Sequence, residues 1–369
     1  MSLNTADVKA LIEREFPEEY ACGWDNSGFN IDLHNPVENI LVCVDVTPDV
    51  IKEAAEKKCG LIVSHHPLLF HAIKTIDAQG HIGNCIRLLM EAGISLYCAH
   101  TSVDNAPGGI NTCLANMLGL TDIEFLEVQQ KQRFYKVVVT VPPEDSESVK
   151  DALAAGGAGE LGNYTRCSFS AVGEGTFLPN DVATPHIGSA GRQEIVKEAR
   201  IEVLVEESKL QNTLRLVRGA HPYEEPAIDV YVLEEPSEAR AGSGVCGRLE
   251  SRRSVRNILD GLKKQLCVEY VKFRGDLDAE VETVALCGGA GADLIPQAQA
   301  MGAQLFITGE VKHNEFVETG INLSEFGHYD TEKCFVGAMV GSLQNVLGDV
   351  QCNVAVFAAR NDKRPYEFY

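Results

Sequence analysis

Two stretches of this chain, far apart in sequence, spell out the same order of apolar runs and helical patterns. That repetition restricts the fold more than any other feature. In the first stretch the pattern predicts strands at 40–44, 60–63 and 94–98 and helices at 6–15, 48–57, 81–92 and 109–118. In the second it predicts strands at 284–287, 304–308 and 321–324 and helices at 293–301, 312–319 and 329–346. Runs such as Leu61-Ile62-Val63 are apolar throughout instead of alternating. Strands of that kind are covered on both faces, which implies a largely parallel sheet flanked by helices. A shift of 244 with no gap pairs Cys43 with Cys287, Asp49 with Asp293, Leu61 with Leu305, Ser64 with Thr308 and His66 with Glu310. Beyond that the shift falls to 227 or 228, pairing Gly93 with Gly320, His100 with His328 and Asp104 with Glu332. The expectation is a duplicated α/β fold, each half three layers deep, forming one domain.

The middle of the chain has a different rhythm. Residues 135–141 alternate around valines, a helix starts at Ser146, and a glycine-rich loop follows at 154–159. A strand at 202–205, a helix at 208–217 and a closing strand at 228–233 complete a β-α-β, β-α-β layout, which predicts a ferredoxin-like α+β insert. The divisions expected are 1–129 and 234–369 for the interrupted α/β domain, with 130–233 inserted between them.

Composition narrows the function. The 369 residues carry 45% hydrophobic and 23% charged side chains, enough for full cores without staples. A formal charge of −21 argues against nucleic-acid binding and against anionic membranes, which need a basic face. Twelve cysteines occur without any Cys-x-x-Cys pair, and Cys43, Cys98 and Cys287 sit in apolar runs. They read as reduced, mostly buried thiols of a cytoplasmic protein. No signal peptide and no membrane-spanning run is apparent.

The chemistry-bearing residues fall at corresponding places in the two stretches. His65 and His66 end an apolar strand just before Pro67, where open α/β sheets bind their ligands. His328 precedes Glu332 by four at the start of a predicted helix, which puts that pair on one helical face. His100 precedes Asp104 by the same spacing, but Asp104 follows a strand and leads into the turn-rich loop Asn105-Ala-Pro-Gly-Gly. Mixed imidazole and carboxylate donors suit two divalent ions such as Zn, Mn, Fe, Co or Ni. Paired ions activate water and polarise a substrate bond, so hydrolysis of a small molecule is the expected class, a two-metal phosphoesterase being one form of it. His100 and His313 are candidates for acid–base work or for supporting the ligands. The glycine-rich turn Cys287-Gly-Gly-Ala-Gly-Ala lacks the third glycine of a dinucleotide fingerprint, and a close-approach turn beside the site explains it equally well.

Five motifs stand in a telling order: Trp24-Asp25-Asn26-Ser-Gly28, Ser64-His65-His66-Pro67, His100-Thr-Ser-Val-Asp104-Asn, Thr308-Gly-Glu310-Val-Lys-His313 and Gly327-His328-Tyr-Asp-Thr-Glu332. Over its whole length the chain resembles the Nif-three-like proteins, known as GTP cyclohydrolase 1 type 2 homologues. His221-Pro-Tyr-Glu-Glu-Pro226 in the insert looks like the PII-like domain of their longer bacterial members. The resemblance implies a dinuclear centre with His65, His66, Asp104, His328 and Glu332 as ligands, Glu332 bridging. It also implies a toroidal homohexamer and opening of the imidazole ring of GTP. No residue here identifies guanine, and no P-loop is present for a triphosphate. A metal-holding regulator that senses a small ligand through the insert is the alternative. The family usually carries Asp where Glu310 stands, and often His or Asp where Asn314 stands. The internal repeat would make His100 a ligand equivalent to His328; the family pattern omits it.

Overall fold

The computed structural model describes residues 3–367, with side chains for all of these except 235–238. The chain divides into two compact units, Met1–Gln130 with Ala239–Tyr369, and Lys131–Glu238.

The first unit is built on two large sheets, with Leu3–Asn4 and Pro36–Val37 pairing separately as a two-stranded one. One runs in the order Ala355–Ala358, Asn39–Cys43, Leu61–Ser64, Ser95–Cys98, Gly28–Ile31, parallel except for the last edge strand. The other runs Lys272–Arg274, Asn322–Glu325, Leu305–Thr308, Glu280–Cys287, then the end of the long strand Ile228–Ser254. Its three central strands are parallel and both flanking strands antiparallel.

Leu61–Ser64 and Leu305–Thr308 sort their side chains by alternation even though every position in them is buried. Val42, Leu61 and Val63 from one sheet and Val284, Leu305 and Ile307 from the other enter a shared core with Leu114, Phe335, Met339 and Leu343. The helices Ile110–Leu118 and Cys334–Asp349 therefore fill the space between the sheets. The opposite faces carry separate cores. Leu41, Ile62 and Leu96 pack on the helices Pro48–Glu56 and His81–Ala92, and Ala285, Phe306 and Leu323 pack on Ile295–Ala300. Sequence signals at the ends agree with these bounds: Thr47 caps its helix ahead of Pro48, and Gly93 closes His81–Ala92 in the left-handed conformation.

In the second unit the order along the chain is strand, helix, strand, strand, helix, strand. Phe134–Val141 and Phe169–Phe177 both pair antiparallel with Glu194–Glu206, and the helices Ser146–Ala155 and Glu207–Ala220 cover one face with Val149, Leu153, Leu214 and Val217.

Some elements differ from the sequence pattern. The helix expected over 329–346 is two, His328–Glu332 and Cys334–Asp349, because its first turn is pinned separately: Thr331 Oγ1 accepts from Gly289 N–H at 3.0 Å and donates to the His328 carbonyl at 2.8 Å. The short helix Thr101–Asp104, the strand Phe169–Phe177 and the helix Val255–Gln265 had no assignment from pattern. All twelve cysteines are free. Among the described residues no helix is long and apolar enough to cross a membrane.

Candidate metal centre

His65 and His66 follow the strand Leu61–Ser64 while it is still paired: their N–H groups donate to the carbonyls of Cys43 and Val44 at 3.0 and 2.9 Å. Ser64 Oγ–H then donates to the His66 carbonyl at 2.9 Å, and Pro67 ends the extended run. The two rings lie 4.9 Å apart, inclined at 43°. Consecutive residues thus face one crevice, where a regular strand would send them to opposite sides.

Across the crevice, His328 and Glu332 stand one turn apart on their short helix. Glu332 Oε2 is 2.9 Å from His66 Nε2 and 3.1 Å from His328 Nε2. Its other oxygen is 3.5 Å from His65 Nε2, which lies 3.7 Å from Asp104 Oδ1. Five residues expected from the sequence therefore meet. His100 joins them on the other side, its ring 5.2 Å from His65 and 5.7 Å from His66. His65, His66 and His100 form one group able to hold a metal ion; His66, His328 and Glu332 form another. His313 is exposed at the start of the helix His313–Glu318 and belongs to neither group.

Each ring is tied from behind. Nδ1 of His66 contacts Asp45 at 2.9 Å, Nδ1 of His328 contacts Glu310 at 2.9 Å, and Nδ1 of His100 contacts Asp25 at 2.7 Å. Nδ1 of His65 contacts the Ala99 carbonyl at 3.2 Å. These partners only accept, so Nδ1 carries the donated proton and the Nε2 lone pair of each neutral ring faces inward. Metal-ligating histidines are held in this way. His65 Nε2 and Glu332 Oε2 are buried with no aligned hydrogen bond. Buried polar atoms left so are rare, and a cation among them would satisfy both. The residues present therefore fit a metal.

The electrostatics point the same way. Burial works against charge on His66, but Asp45 and Glu332 outweigh it and push the ring up to about 10. His65 and His328 are raised by a similar contest, burial being overcome by Asp104 and Glu332 in one and by Glu332 in the other. Burial also opposes charge on Glu332, yet His65, His328 and His66 hold its carboxyl well below the usual carboxylate range. Burial pushes Asp104 up. Taken together, the buried carboxylate Glu332 and the raised histidines make the cluster one that favours positive charge.

The glycine-rich turn has a steric purpose. At Gly289, φ is +61°, and a Cβ would lie 2.1 Å from Glu332 Oε1 and 3.4 Å from His328 Nε2. The turn is a close approach of backbone to the cluster. Asp25, Asp45 and Thr331 were not singled out from sequence. Asp25 was legible, since it lies inside the Trp24-Asp25-Asn26 motif; Asp45 had only its place just past the strand Asn39–Cys43 as a signal. Glu310, longer than the usual aspartate, still reaches His328.

Fold and site define a mixed α/β protein with histidine–carboxylate clusters able to hold a metal ion. The chain belongs to the Duf34/NIF3 (NGG1p interacting factor 3) family, which it matches over residues 3–365. Among its relatives is a Bacillus subtilis protein named GTP cyclohydrolase 1 type 2 homolog, 35% identical over 372 residues that span 100% of this chain and 99% of that one. A Listeria innocua protein of the same name is also 35% identical, covering 99% of each chain. The crystal structure of a Bacillus cereus protein related to NIF3 superimposes with a TM-score of 0.86 at 34% identity, covering 100% of this chain and 99% of the other.

Proposed function

We propose that this chain is a dinuclear-metal hydrolase acting on a nucleotide or a related heterocycle. One observation carries the reading: the two oxygens of Glu332 face different partners, Oε1 toward His65 and Oε2 toward His66 and His328. His65, Asp104 and one Glu332 oxygen would hold one divalent ion; His66, His328 and the other oxygen would hold the second. Such ions, from among Zn, Mn, Fe, Co and Ni, supply Lewis-acid activation of water and of the bond under attack.

The chain's own residues do the rest. Asp45 and Glu310 fix the orientations of His66 and His328. Asp25 accepts from Thr101 N–H and Oγ1–H at 3.1 and 2.6 Å; although burial opposes its charge, His100 and those donors hold its carboxyl below the usual range. It keeps the proton of His100 on Nδ1 and leaves Nε2 as the atom that takes or gives a proton beside the substrate. His313, exposed and outside the cluster, has no part in this scheme.

The test is reloading of metal-stripped protein with Mn, Zn or Fe, followed by a hydrolysis panel of nucleosides and nucleotides. His65→Ala should lose metal and activity together. A protein that is metal-loaded yet inert on every substrate would favour the regulatory reading, to which one observation lends weight: a cavity of about 360 Å³ in the second unit, walled by Phe177, His186 and Tyr223.

The duplication belongs to this proposal, and the sheet registers support it. Ile40 pairs with Leu61 and Cys43 with Ser64; shifted by 244 these become Val284 with Leu305 and Cys287 with Thr308, the pairs observed. Ser95 and Cys98 shifted by 227 become Asn322 and Glu325, again the observed partners. The strand and helix order of the second unit supports a PII-like, ferredoxin-type insert. Exposed Ile73, Ile76, Ile82 and Met90 supply an apolar surface for a homohexamer, which native mass spectrometry would weigh directly.

A further inference from the structure

The crevice in front of the cluster is a cavity of about 470 Å³. His66, Asp104, His328 and Glu332 line it on one side; Trp24, Phe70 and His100 line another. Trp24 is 64% exposed and Phe70 42%, although rings of this size normally contribute to a fold by burial. The three rings meet as a corner. Trp24 and Phe70 are 6.0 Å apart at 60°, Trp24 and His100 6.2 Å at 76°, and Phe70 and His100 6.2 Å at 86°. Rings inclined in this way meet edge to face, and the exposure of Trp24 and Phe70 at the cavity wall leaves ring surface free for a ligand. The corner is built rather than accidental. Asn26 Nδ2–H donates to the Leu69 carbonyl, and Leu69 N–H donates to Asn30 Oδ1 at 2.9 Å, so the two loops that carry Trp24 and Phe70 are laced together.

The charges around the cavity are one-sided. Asp104, Glu127, Asp293 and Glu332 line it, and among the described residues no lysine or arginine does. A second cavity beyond His328 has Lys272 and Lys312, but also Asp293, Glu310, Glu315 and Glu325, and Lys272 is bound to Glu325 at 2.7 Å. Neither has a surplus of positive charge for a polyphosphate, and two divalent ions would do no more than offset the carboxylates.

We propose that the organic part of the substrate is a neutral planar heterocycle, a nucleobase or nucleoside, held against Trp24 and Phe70, and that a nucleoside triphosphate is a poor ligand. The proposal rests on the metal reading above and specifies what that centre acts on. Aromatic stacking recognises any π face without needing charge. The motif Trp24-Asp25-Asn26 then works as a unit: Trp24 presents the face, Asp25 fixes His100, and Asn26 holds the Phe70 loop.

Trp24 is the one tryptophan of the chain, so its emission reports this wall alone. Metal-loaded, full-length protein would be titrated with guanosine, adenosine, GTP and ribose 5-phosphate at matched ionic strength. Saturable quenching by the nucleosides, none by ribose 5-phosphate, and binding of GTP at least tenfold weaker than guanosine are the expected results. Calorimetric titration of Trp24→Leu and Phe70→Ala, both changed at exposed positions, should show nucleoside affinity down roughly tenfold or more with metal content retained. Emission indifferent to every nucleoside, or GTP binding as tightly as guanosine, overturns the proposal. So does emission that changes with protein concentration and not with ligand, which would assign the wall to contact between copies. Failure of the starting protein to take up metal would instead defeat the metal reading, and it shows before any nucleoside is added.

Discussion

Replacing Gly289 with alanine tests whether the backbone at the cluster is shaped around Glu332. Two costs arise. The first is conformational: φ is +61° here, and a left-handed alanine costs about 1–2 kcal/mol. The second is local. The new Cβ would lie 2.1 Å from Glu332 Oε1, so carboxylate and turn must part by about 1 Å, several times the ~0.2 Å tolerance of metal–ligand distances. Glu332 has little room to retreat, being 3% exposed. Metal affinity should therefore fall roughly 10- to 100-fold, the range seen when the supports of a ligand are removed. Gly93→Ala is the matched control: φ is +67°, but its Cβ meets nothing within 4 Å. In thermal unfolding of metal-free protein Gly289→Ala should lose at least as much stability as the control, and Gly289→Ala alone should lose metal in equilibrium dialysis with elemental analysis. If Gly289→Ala holds metal as tightly as the control, the close approach has no bearing on the site and the steric argument is wrong.

Further outcomes follow from the same geometry. His100→Ala should keep the full metal complement while losing hydrolytic rate; loss of half the metal, measured by elemental analysis, would make His100 a ligand as the internal repeat implies. Glu310→Ala removes the support of His328 Nδ1 and should weaken metal binding roughly tenfold or more, read by competition with a chromophoric chelator. His66 in metal-free protein has its pKa raised to about 10, above the ordinary value, so its contribution to stability is complete below about pH 6.5 and is lost as pH rises through 10. Denaturant unfolding of stripped protein at pH 6, 8 and 10 should show that loss, and His66→Gln should flatten it. Metal uptake at pH 7 should release protons, detectable in a weakly buffered solution containing an indicator.

Much of the α/β framework was legible because its strands are continuous apolar runs and its helices carry clear ends. Pro48, Gly93 and Gly119 mark boundaries that the structure keeps. His65 and His66 stood out as adjacent histidines ending an apolar run, whereas His328 and Glu332, a common pairing on helices, stood out only through the repeat and the order of the motifs. What the sequence hid is tertiary. Asp45 acts on His66 from a neighbouring strand end, and nothing in its local pattern separates it from a surface aspartate. The break at Lys333 depends on Thr331 meeting Gly289, residues 42 apart. The strand Phe169–Phe177 is nearly all exposed and contains Gly173 and Gly175, so it lacks the apolar alternation by which strands are recognised.

The clustered groups come from both ends of the chain: His65, His66 and Asp104 precede the second unit, while His328 and Glu332 follow it. During synthesis the early three leave the ribosome long before their counterparts exist. A growing chain therefore carries incomplete sites, and any loading with metal would come late, after the helix Cys334–Asp349 has joined the core. Capture of metal would then act as a seal on a finished molecule, with no part in guiding its earlier folding.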